Sequence, residues 1–294
     1  MCYYYGQKVT RAEFIRLKEL EKEVMKYDFL AKQEIHNGFA YKNVAILKPN
    51  QAKDNFDIVE MEWGIVPPYL KNREAVKNFR DGYKDASGKW NIGYTTLNAK
   101  DENLFISEKG RKSMYADAAR SRRCLFLVSG IFEWRHIPKR NKKTGLPLKA
   151  VDKFPYHIFV KDAPYFYIAG IWQEWNDKET GEHVEMATLV TTRANHLMEQ
   201  IHNTKKRMPT ILNDELAWEW MTGELSDERI TEIASTQYPT EMMDACTVAK
   251  DFLASLEPGE PFEYEDVPAL ELSIAGDAPV ENMIENQPQK SLFD

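Results

Sequence analysis

The chain has 294 residues, of which 43% are hydrophobic and 12% aromatic, and its formal net charge is -7. This composition supplies a substantial core and excludes an intrinsically disordered chain. The sequence contains no apolar run of about 18 residues, which argues against a transmembrane helix. It also lacks a charged and then apolar leader, which argues against a secretory signal. We therefore expect a cytoplasmic protein.

The acidic charge is concentrated at the C-terminal end of the chain. The segment from Ser255 to Asp294 contains ten acidic residues and one basic residue, so the remainder is slightly basic. From Ser255 the composition also shifts toward Pro, Gly, Glu and Asn, which is typical of flexible segments. These observations predict one folded domain over residues 1–254 and a flexible acidic tail over residues 255–294.

The first half of the chain mixes helical and strand patterns. A capping box at Thr10 and Glu13, followed by apolar residues at helical spacing, predicts a helix over residues 11–26. Alternation over residues 58–63 predicts a strand, and the polar stretch 82–91 predicts an exposed loop. Residues 102–122 are expected to form a helix with a basic end.

The second half is richer in strands. The apolar run 124–128 predicts a strand that is buried on both faces, and the polar stretch 138–153 predicts a long hairpin loop. Further strands are expected at 156–160, 165–172, 184–192 and 245–248. Helices are expected at 193–200 and 214–221, and Asn213 and Ser226 are candidate N-caps. This irregular order favours an α+β fold.

Cys2 directly follows the initiator methionine, and removal of Met1 would give Cys2 both a free α-amine and a thiol. Such a pair reacts with an aldehyde in two steps. The amine forms a Schiff base, and the adjacent thiol then adds to the imine carbon and closes a thiazolidine, which proximity favours. The alternative is a second-position cysteine without a chemical role.

Glu133 lies between aromatic residues in Gly130-Ile131-Phe132-Glu133-Trp134, directly after the apolar run. Burial there would raise the pKa of its carboxyl group and suit it to act as a general acid. The alternative is a glutamate that points to solvent from an alternating strand.

Two further segments carry candidate polar groups. His202 precedes three cations at 205–207, whose charges favour the neutral imidazole, a base near pH 7. The carboxamide of Asn98 could hold a sugar hydroxyl or a nucleophile. The alternatives are a solvated basic loop and an asparagine in a turn or cap.

In this order, these segments resemble the SRAP family, the SOS-response-associated peptidases. The matching segments are Met1-Cys2, Asn98-Ala99-Lys100, Gly130-Ile131-Phe132-Glu133-Trp134, and Ile201-His202 with Arg207-Met208-Pro209. Trp63-Gly64-Ile65-Val66-Pro67 matches a fifth family segment. The resemblance covers about residues 2–212. It implies a compact α+β domain with a β-rich, barrel-like mixed core flanked by helices.

The resemblance also implies a function in the DNA damage response. Such proteins bind single-stranded DNA with abasic sites and form a covalent thiazolidine crosslink with the opened sugar. The implied chemical roles are Cys2 as nucleophile, Asn98 to orient Cys2 or the sugar, Glu133 as acid and base, and His202 in proton transfer. The residues implied to contact DNA are Trp63, Pro67, Lys100, Lys205, Lys206, Arg207, Met208 and Pro209.

The chain departs from the family pattern at three places. Tyr3-Tyr4 stand where Gly-Arg often follows Met-Cys, Lys100 stands where arginine is frequent, and Ile131-Phe132 replace Phe-Tyr. Loss of an arginine removes a bidentate grip on phosphate. These changes bear on DNA affinity more than on the reaction.

The chain ends in Gln289-Lys290-Ser291-Leu292-Phe293-Asp294, which resembles the peptide that bacterial repair proteins use to bind the sliding clamp. Leu292 and Phe293 would fill an apolar pocket while Gln289 forms a hydrogen bond at its rim. The alternative is a terminus without a partner.

Two other functions stay open. One is a cysteine peptidase that also removes its own Met1, and the other is a non-catalytic adaptor that binds single-stranded DNA. A peptidase tolerates an extra N-terminal residue, whereas thiazolidine formation requires the free α-amine of Cys2. We expect no metal and no cofactor, because the cysteines and histidines lack ligand spacing. We also expect a monomer that is associated with the nucleoid in the cytoplasm.

Overall fold

The computed structural model describes residues 2–6 and 35–271. The helix expected over residues 11–26 and the peptide at 289–294 lie outside these ranges. No helix among the described residues is long and apolar enough to cross a membrane.

The helices of the described chain are α1 (Arg73–Asp81), α2 (Ala116–Ser121), α3 (His196–Ile201), α4 (Asp214–Thr222) and α5 (Asp227–Ala234). The strands are β1 (Tyr4–Gly6), β2 (Ile35–Asn37), β3 (Asn43–Pro49), β4 (Phe56–Trp63), β5 (Tyr83–Lys84), β6 (Trp90–Asn91), β7 (Asn98–Lys100), β8 (Arg123–Val128), β9 (Gly130–Arg140), β10 (Pro147–Val160), β11 (Phe166–Asn176), β12 (His183–Arg193), β13 (Arg207–Pro209), β14 (Ile211–Leu212) and β15 (Met243–Thr247).

Five strands close into a barrel at the centre of the fold. The cyclic order is β12, β4, β3, β8 and β11, and β11 pairs back with β12. The β12–β4 pairing is parallel, and the other four are antiparallel. Closure leaves these strands without a free edge. The structure therefore confirms the expected α+β fold with a barrel-like core.

A second sheet lies against the barrel and carries the N-terminus. Its strand order is β15, β10, β9, β1 and β2, and all four pairings are antiparallel. Apolar side chains of this sheet, among them Tyr5, Ile131 and Ile158, form one buried cluster with Phe126 of the barrel. This packing holds the start of the chain against the middle of the fold.

Strand β8 shows how both sides of the barrel wall are filled. Leu125 and Leu127 pack in a cluster with Trp220 of α4, whereas Phe126 and Val128 pack toward the second sheet. The strand is buried along its whole length, as its continuous apolar run predicted. The expected caps are also confirmed, since the side chains of Asn213 and Ser226 accept backbone hydrogen bonds at the starts of α4 and α5.

Two expectations from local composition are wrong. The helix expected over 102–122 is limited to α2. Residues 104–115 form a turn instead, in which Gly110 has a φ of 70° and Ile106 pairs with Lys112 in a β-bridge. The loop expected over 138–153 is mostly strand. Strands β9 and β10 pair continuously up to Pro138 and Val151, and they pair once more at Arg140 and Pro147. Pairing between strands outweighs the polar composition here.

The chain continues along the domain beyond residue 254. Val248 pairs with Pro261 in an isolated bridge, and Tyr264, Val267 and Leu270 pack against the same apolar cluster as the second sheet. The packed part of the chain thus extends to Glu271, into the segment that was expected to be a tail.

Candidate functional site

Cys2 lies two residues before the start of β1 and is only 1% exposed. Its Sγ atom is 3.5 Å from the carbonyl oxygen of Tyr4. Burial raises the pKa of the thiol well above its usual value, and the nearby charge of Glu133 raises it further. The sulfur is therefore held as a neutral thiol in a shielded position.

Glu133 lies on β9, the neighbour of β1. Tyr4 is paired with Phe132, so one further step of the antiparallel register places Tyr3 opposite Glu133. Glu133 is 6% exposed, and burial raises the pKa of its carboxyl group to about 7. The charge of the same carboxyl group raises the pKa of the Cys2 thiol and of the Tyr3 phenol. Glu133 is therefore close enough to interact electrostatically with both.

His202 follows the last residue of α3 and is 6% exposed. Its Nδ1 atom is 2.8 Å from the carbonyl oxygen of Arg207. Burial, followed by the positive charge at the N-terminus of the chain, lowers the pKa of the imidazole to about 4. His202 is therefore a neutral base throughout the physiological range.

The side chain of Asn203 fastens the loop of His202 to β9. Its Oδ1 accepts a hydrogen bond from the backbone N–H of His136 (3.1 Å), and its Nδ2 donates one to the carbonyl oxygen of the same residue (2.8 Å). His136 lies three residues beyond Glu133 on the strand. This clamp brings the imidazole loop to the strand that carries the acid.

Asn98 begins β7, which runs parallel to β12 with Asn98 opposite Leu189. It is 8% exposed, and neither polar atom of its carboxamide has a hydrogen-bond partner. A buried polar group left unsatisfied costs roughly 1–3 kcal/mol. Such a group commonly marks a functional position, and this one is suited to receive a substrate hydroxyl or amine.

Gly38 connects the segment of Asn98 to the N-terminus. Its backbone N–H donates to the carbonyl oxygen of Tyr3 at 2.9 Å. A Cβ atom added at Gly38 would lie 2.8 Å from Cδ1 of Leu97, so a larger residue at this position would push the backbone of Gly38 away from Leu97. Gly38 therefore contacts both Tyr3, which follows Cys2, and Leu97, which precedes Asn98.

The residues expected to contact DNA are not all placed for that role. Trp63 is 1% exposed, donates its Nε1–H to the carbonyl oxygen of Leu97 at 3.0 Å and packs on Tyr5. It is therefore held in the core by Leu97 and Tyr5 and is not exposed for the expected contact with DNA. Pro67, Met208 and Pro209 are also buried.

The expected phosphate contact at Arg207 is also corrected by the structure. Its guanidinium forms ion pairs with Asp101 (2.9 Å) and Glu102 (2.8 Å), and its side chain is 10% exposed. The guanidinium of Arg207 is therefore occupied by carboxylates, and the carbonyl oxygen of the same residue positions His202. Lys100 pairs with Glu108 and Lys206 with Glu199 in ion pairs at the surface. Lys205 and Lys206 are exposed and stay candidates for phosphate binding.

Two residues of this region were missed by the sequence analysis. Tyr3 lies opposite Glu133, and burial raises the pKa of its phenol to about 12. Arg135 lies two residues beyond Glu133, on the same face of β9. The period of two residues in a strand would have indicated Arg135 once β9 was recognised.

Comparison with known proteins places this geometry in context. The family model described as SOS response associated peptidase (SRAP) matches residues 1–254. The chain is 28% identical over 225 residues to the abasic site processing protein YoqW of Bacillus subtilis, covering 75% of this chain and 83% of YoqW. It is 24% identical over 238 residues to the abasic site processing protein YedK of Escherichia coli, covering 80% and 86%. A crystal structure of a Bacteroides thetaiotaomicron protein matches with a TM-score of 0.66 at 27% identity, covering 88% and 97%.

Proposed function

The chain belongs to the SRAP family of SOS response associated peptidases, and on this basis we propose that it captures abasic sites in single-stranded DNA as a covalent thiazolidine through Cys2. Its relatives YoqW and YedK are named for abasic site processing. The observation that carries the proposal is the buried pair of Cys2 and Glu133, in which the carboxyl group has a pKa of about 7.

A carboxyl group with this pKa can both donate and accept a proton near neutral pH. In the first step Glu133 donates a proton to the ring oxygen of the closed sugar, its carboxylate takes up the proton of the anomeric hydroxyl, and the ring opens to the aldehyde with Glu133 protonated again. The α-amine of Cys2, free after removal of Met1, then attacks the aldehyde carbon. The resulting carbinolamine loses its hydroxyl as water when Glu133 supplies a proton, which gives the Schiff base.

Ring closure completes the capture. The sulfur of Cys2 forms a bond to the imine carbon, its proton passes to Glu133, and the imine nitrogen takes up a proton. Water is the only product released over the whole sequence. Because amine and thiol belong to one residue, the closure is intramolecular and gains strongly from proximity. The reverse path needs the same proton donor, so Glu133 also governs release.

Asn98 and His202 complete the proposed site. The unpartnered carboxamide of Asn98 can hold a sugar hydroxyl or the amine of Cys2 in place. The carbonyl oxygen of Arg207 accepts from Nδ1 of His202, which leaves Nε2 as the basic nitrogen. His202 can therefore take the proton that the attacking amine loses. The exposed Lys205 and Lys206 are available for phosphates of the same strand.

The state of the thiol favours this reaction over a thiol peptidase. A peptidase needs a thiolate, which enzymes obtain by lowering the pKa of the cysteine next to a cation. Here burial and the carboxyl group of Glu133 raise the pKa of Cys2. The thiol is thus suited to act after the amine, as thiazolidine formation requires.

We extend the proposal to the context of the protein. A monomer associated with the nucleoid in the cytoplasm meets single-stranded DNA at stalled replication. The terminal residues Gln289, Leu292 and Phe293 would bind the sliding clamp, although they lie outside the described residues.

The test is a denaturing gel of the tag-free protein with single-stranded DNA that bears one abasic site. We expect a slow band that survives denaturation without borohydride and that is absent for Cys2→Ala. A variant with one alanine inserted between Met1 and Cys2 keeps the thiol and should also give no band.

The outcomes separate the alternatives. A band that survives the alanine insertion would exclude the thiazolidine and favour the thiol alone. Intact DNA binding without any band, once mass spectrometry shows that Met1 is removed, would leave an adaptor.

A further inference from the structure

Residues 260–271, hereafter the acidic strap, run across the second sheet toward the site. Phe262 joins the strap to the end of β15, since its N–H donates to the carbonyl oxygen of Thr247 at 2.8 Å. The hydroxyl of Tyr264 donates to the carbonyl oxygen of Val248 at 2.8 Å, and its ring lies 4.9 Å from that of Phe154. The strap is thus attached at defined points.

The middle of the strap covers the face of β9 that carries Glu133. Arg135 lies on this face, about 7 Å farther along the strand. Its Nη1 atom donates to the carbonyl oxygen of Pro268 at 2.6 Å and lies 3.3 Å from the hydroxyl of Tyr156, the partner of Glu133 across the sheet. Arg135, a cation on the same face of β9 as Glu133, is therefore held by the strap.

The end of the strap lies beside the loop of His202. The side chain of Gln200 binds the backbone of Glu271 twice, since its Nε2 donates to the carbonyl oxygen (2.7 Å) and its Oε1 accepts from the N–H (2.9 Å). Gln200 is two residues before His202. The strap consequently connects the two elements that supply the acid and the base of the proposed site.

The strap is amphipathic. Tyr264, Val267 and Leu270 pack on the apolar cluster that contains Cys2. Its five carboxylates are exposed and form no ion pair within the described residues; they belong to Glu260, Glu263, Glu265, Asp266 and Glu271. Unpaired like charges held along one edge repel one another, so they contribute nothing to attachment of the strap.

We propose that the acidic strap is a built-in competitor of the DNA backbone, which covers Arg135 and the edge of the site until a single strand displaces it. This proposal rests on the proposed function. The strap contacts β9 at Arg135 and the helix before His202 at Gln200, so its carboxylates lie along the elements that a captured strand approaches. Charges interact there over a screening length of about 8 Å at physiological salt. The phosphates of this strand are repelled by the carboxylates while the strap is seated, and they gain Arg135 once it leaves.

The consequence is discrimination between intact and abasic DNA. Non-specific binding rests on phosphate contacts, which the strap opposes. Covalent capture is irreversible on the time scale of an encounter, so a brief opening suffices for an abasic strand. The strap therefore limits occupation by undamaged strands more than it limits capture.

The experiment compares two full-length variants with the same net charge. One neutralises the strap (Glu263→Gln, Glu265→Gln and Asp266→Asn). The control neutralises three exposed acids on other elements (Glu174→Gln, Glu224→Gln and Glu241→Gln). Binding of intact single-stranded DNA is measured by fluorescence anisotropy at roughly 50 and 200 mM salt. We expect the strap variant to bind about 10-fold tighter at the lower salt and the control about 2-fold tighter, with both differences shrinking at the higher salt.

Hydrogen exchange of the Cys2→Ala chain supplies a second readout. Intact DNA should speed exchange in residues 260–271, because the strap is displaced. Slower or unchanged exchange of residues 260–271 would overturn the proposal that the strap competes with DNA. Equal gains in affinity for the two triple variants would overturn it as well. If wild type crosslinks abasic DNA in that case, only the strap fails; if no variant binds or crosslinks DNA, the proposed function fails as well.

Discussion

The Nδ1 atom of His202 lies 2.8 Å from the carbonyl oxygen of Arg207, and the guanidinium of Arg207 is in turn held by Asp101 and Glu102. A carbonyl oxygen only accepts hydrogen bonds, so Nδ1 carries the proton and Nε2 carries the lone pair. A residue that the sequence suggested as a phosphate contact therefore sets the tautomer of the proposed base through its carbonyl oxygen.

Substitution of the base tests this assignment. We expect His202→Gln to slow crosslinking by about 100-fold, because a positioned general base contributes on this scale. Binding of intact DNA should change little. Since the pKa of His202 is about 4, the imidazole should add no inflection of its own to the wild-type rate near neutral pH, and the inflection that Glu133 gives near pH 7 should persist in His202→Gln. An inflection there that disappears in His202→Gln would contradict a buried, neutral imidazole.

Glu133→Gln should remove the acid and stabilise the fold at high pH. The pKa of Glu133 in the folded protein is about 7, above the ordinary value of 4.5. The stability that this group contributes to the fold is therefore complete below pH 4.5 and is lost as the pH rises toward 7. Between pH 5 and 8 we expect the variant to gain about 2 kcal/mol relative to wild type. Denaturant titrations at both pH values measure the difference.

The same variant should crosslink at least about 100-fold more slowly, because glutamine has no proton to donate. Equal stability differences at the two pH values would mean that the carboxyl group is ionised in the folded protein. That result would remove the argument for a general acid at this position.

Asn98→Ala should separate stability from activity. The carboxamide has no hydrogen bond to lose and its unsatisfied burial costs roughly 1–3 kcal/mol, so the free energy of unfolding should stay the same or rise, while crosslinking falls at least about 10-fold. Asn195 is the matched control, because it is equally buried but caps α3 and bonds Tyr238. Asn195→Ala should cost about 1 kcal/mol. A comparable loss of stability at Asn98 would indicate a structural role.

The C-terminal peptide can be tested in the full chain. Replacing Leu292 and Phe293 by alanine should abolish retention of the protein by an immobilised sliding clamp, because these side chains supply the apolar contact. Crosslinking to abasic DNA should be unchanged. Retention of the double variant at the wild-type level would leave the terminus without this role.

The sequence by itself determined the elements whose signals are local. The apolar run of β8 required burial on both faces, and Asn213 and Ser226 capped helices as their side chains allow. The candidate chemical residues were also proposed from the sequence, because their short motifs resemble one family. Local polarity misled where strand pairing prevails, as at 138–153, and where a turn replaced a helix, as at 104–115.

The tertiary structure decided what each side chain faces, because that depends on partners far away in the chain. Arg207 was a candidate for phosphate until Asp101 and Glu102, more than 100 residues earlier, occupied its guanidinium. The environment of Glu133 follows from the pairing of β9 with β1, the strand at the start of the chain. The strap belongs to the same class, since Arg135 and Gln200 meet residues 268–271 only after the second sheet has formed. Burial and electrostatic potential are sums over such contacts, and no local pattern contains them.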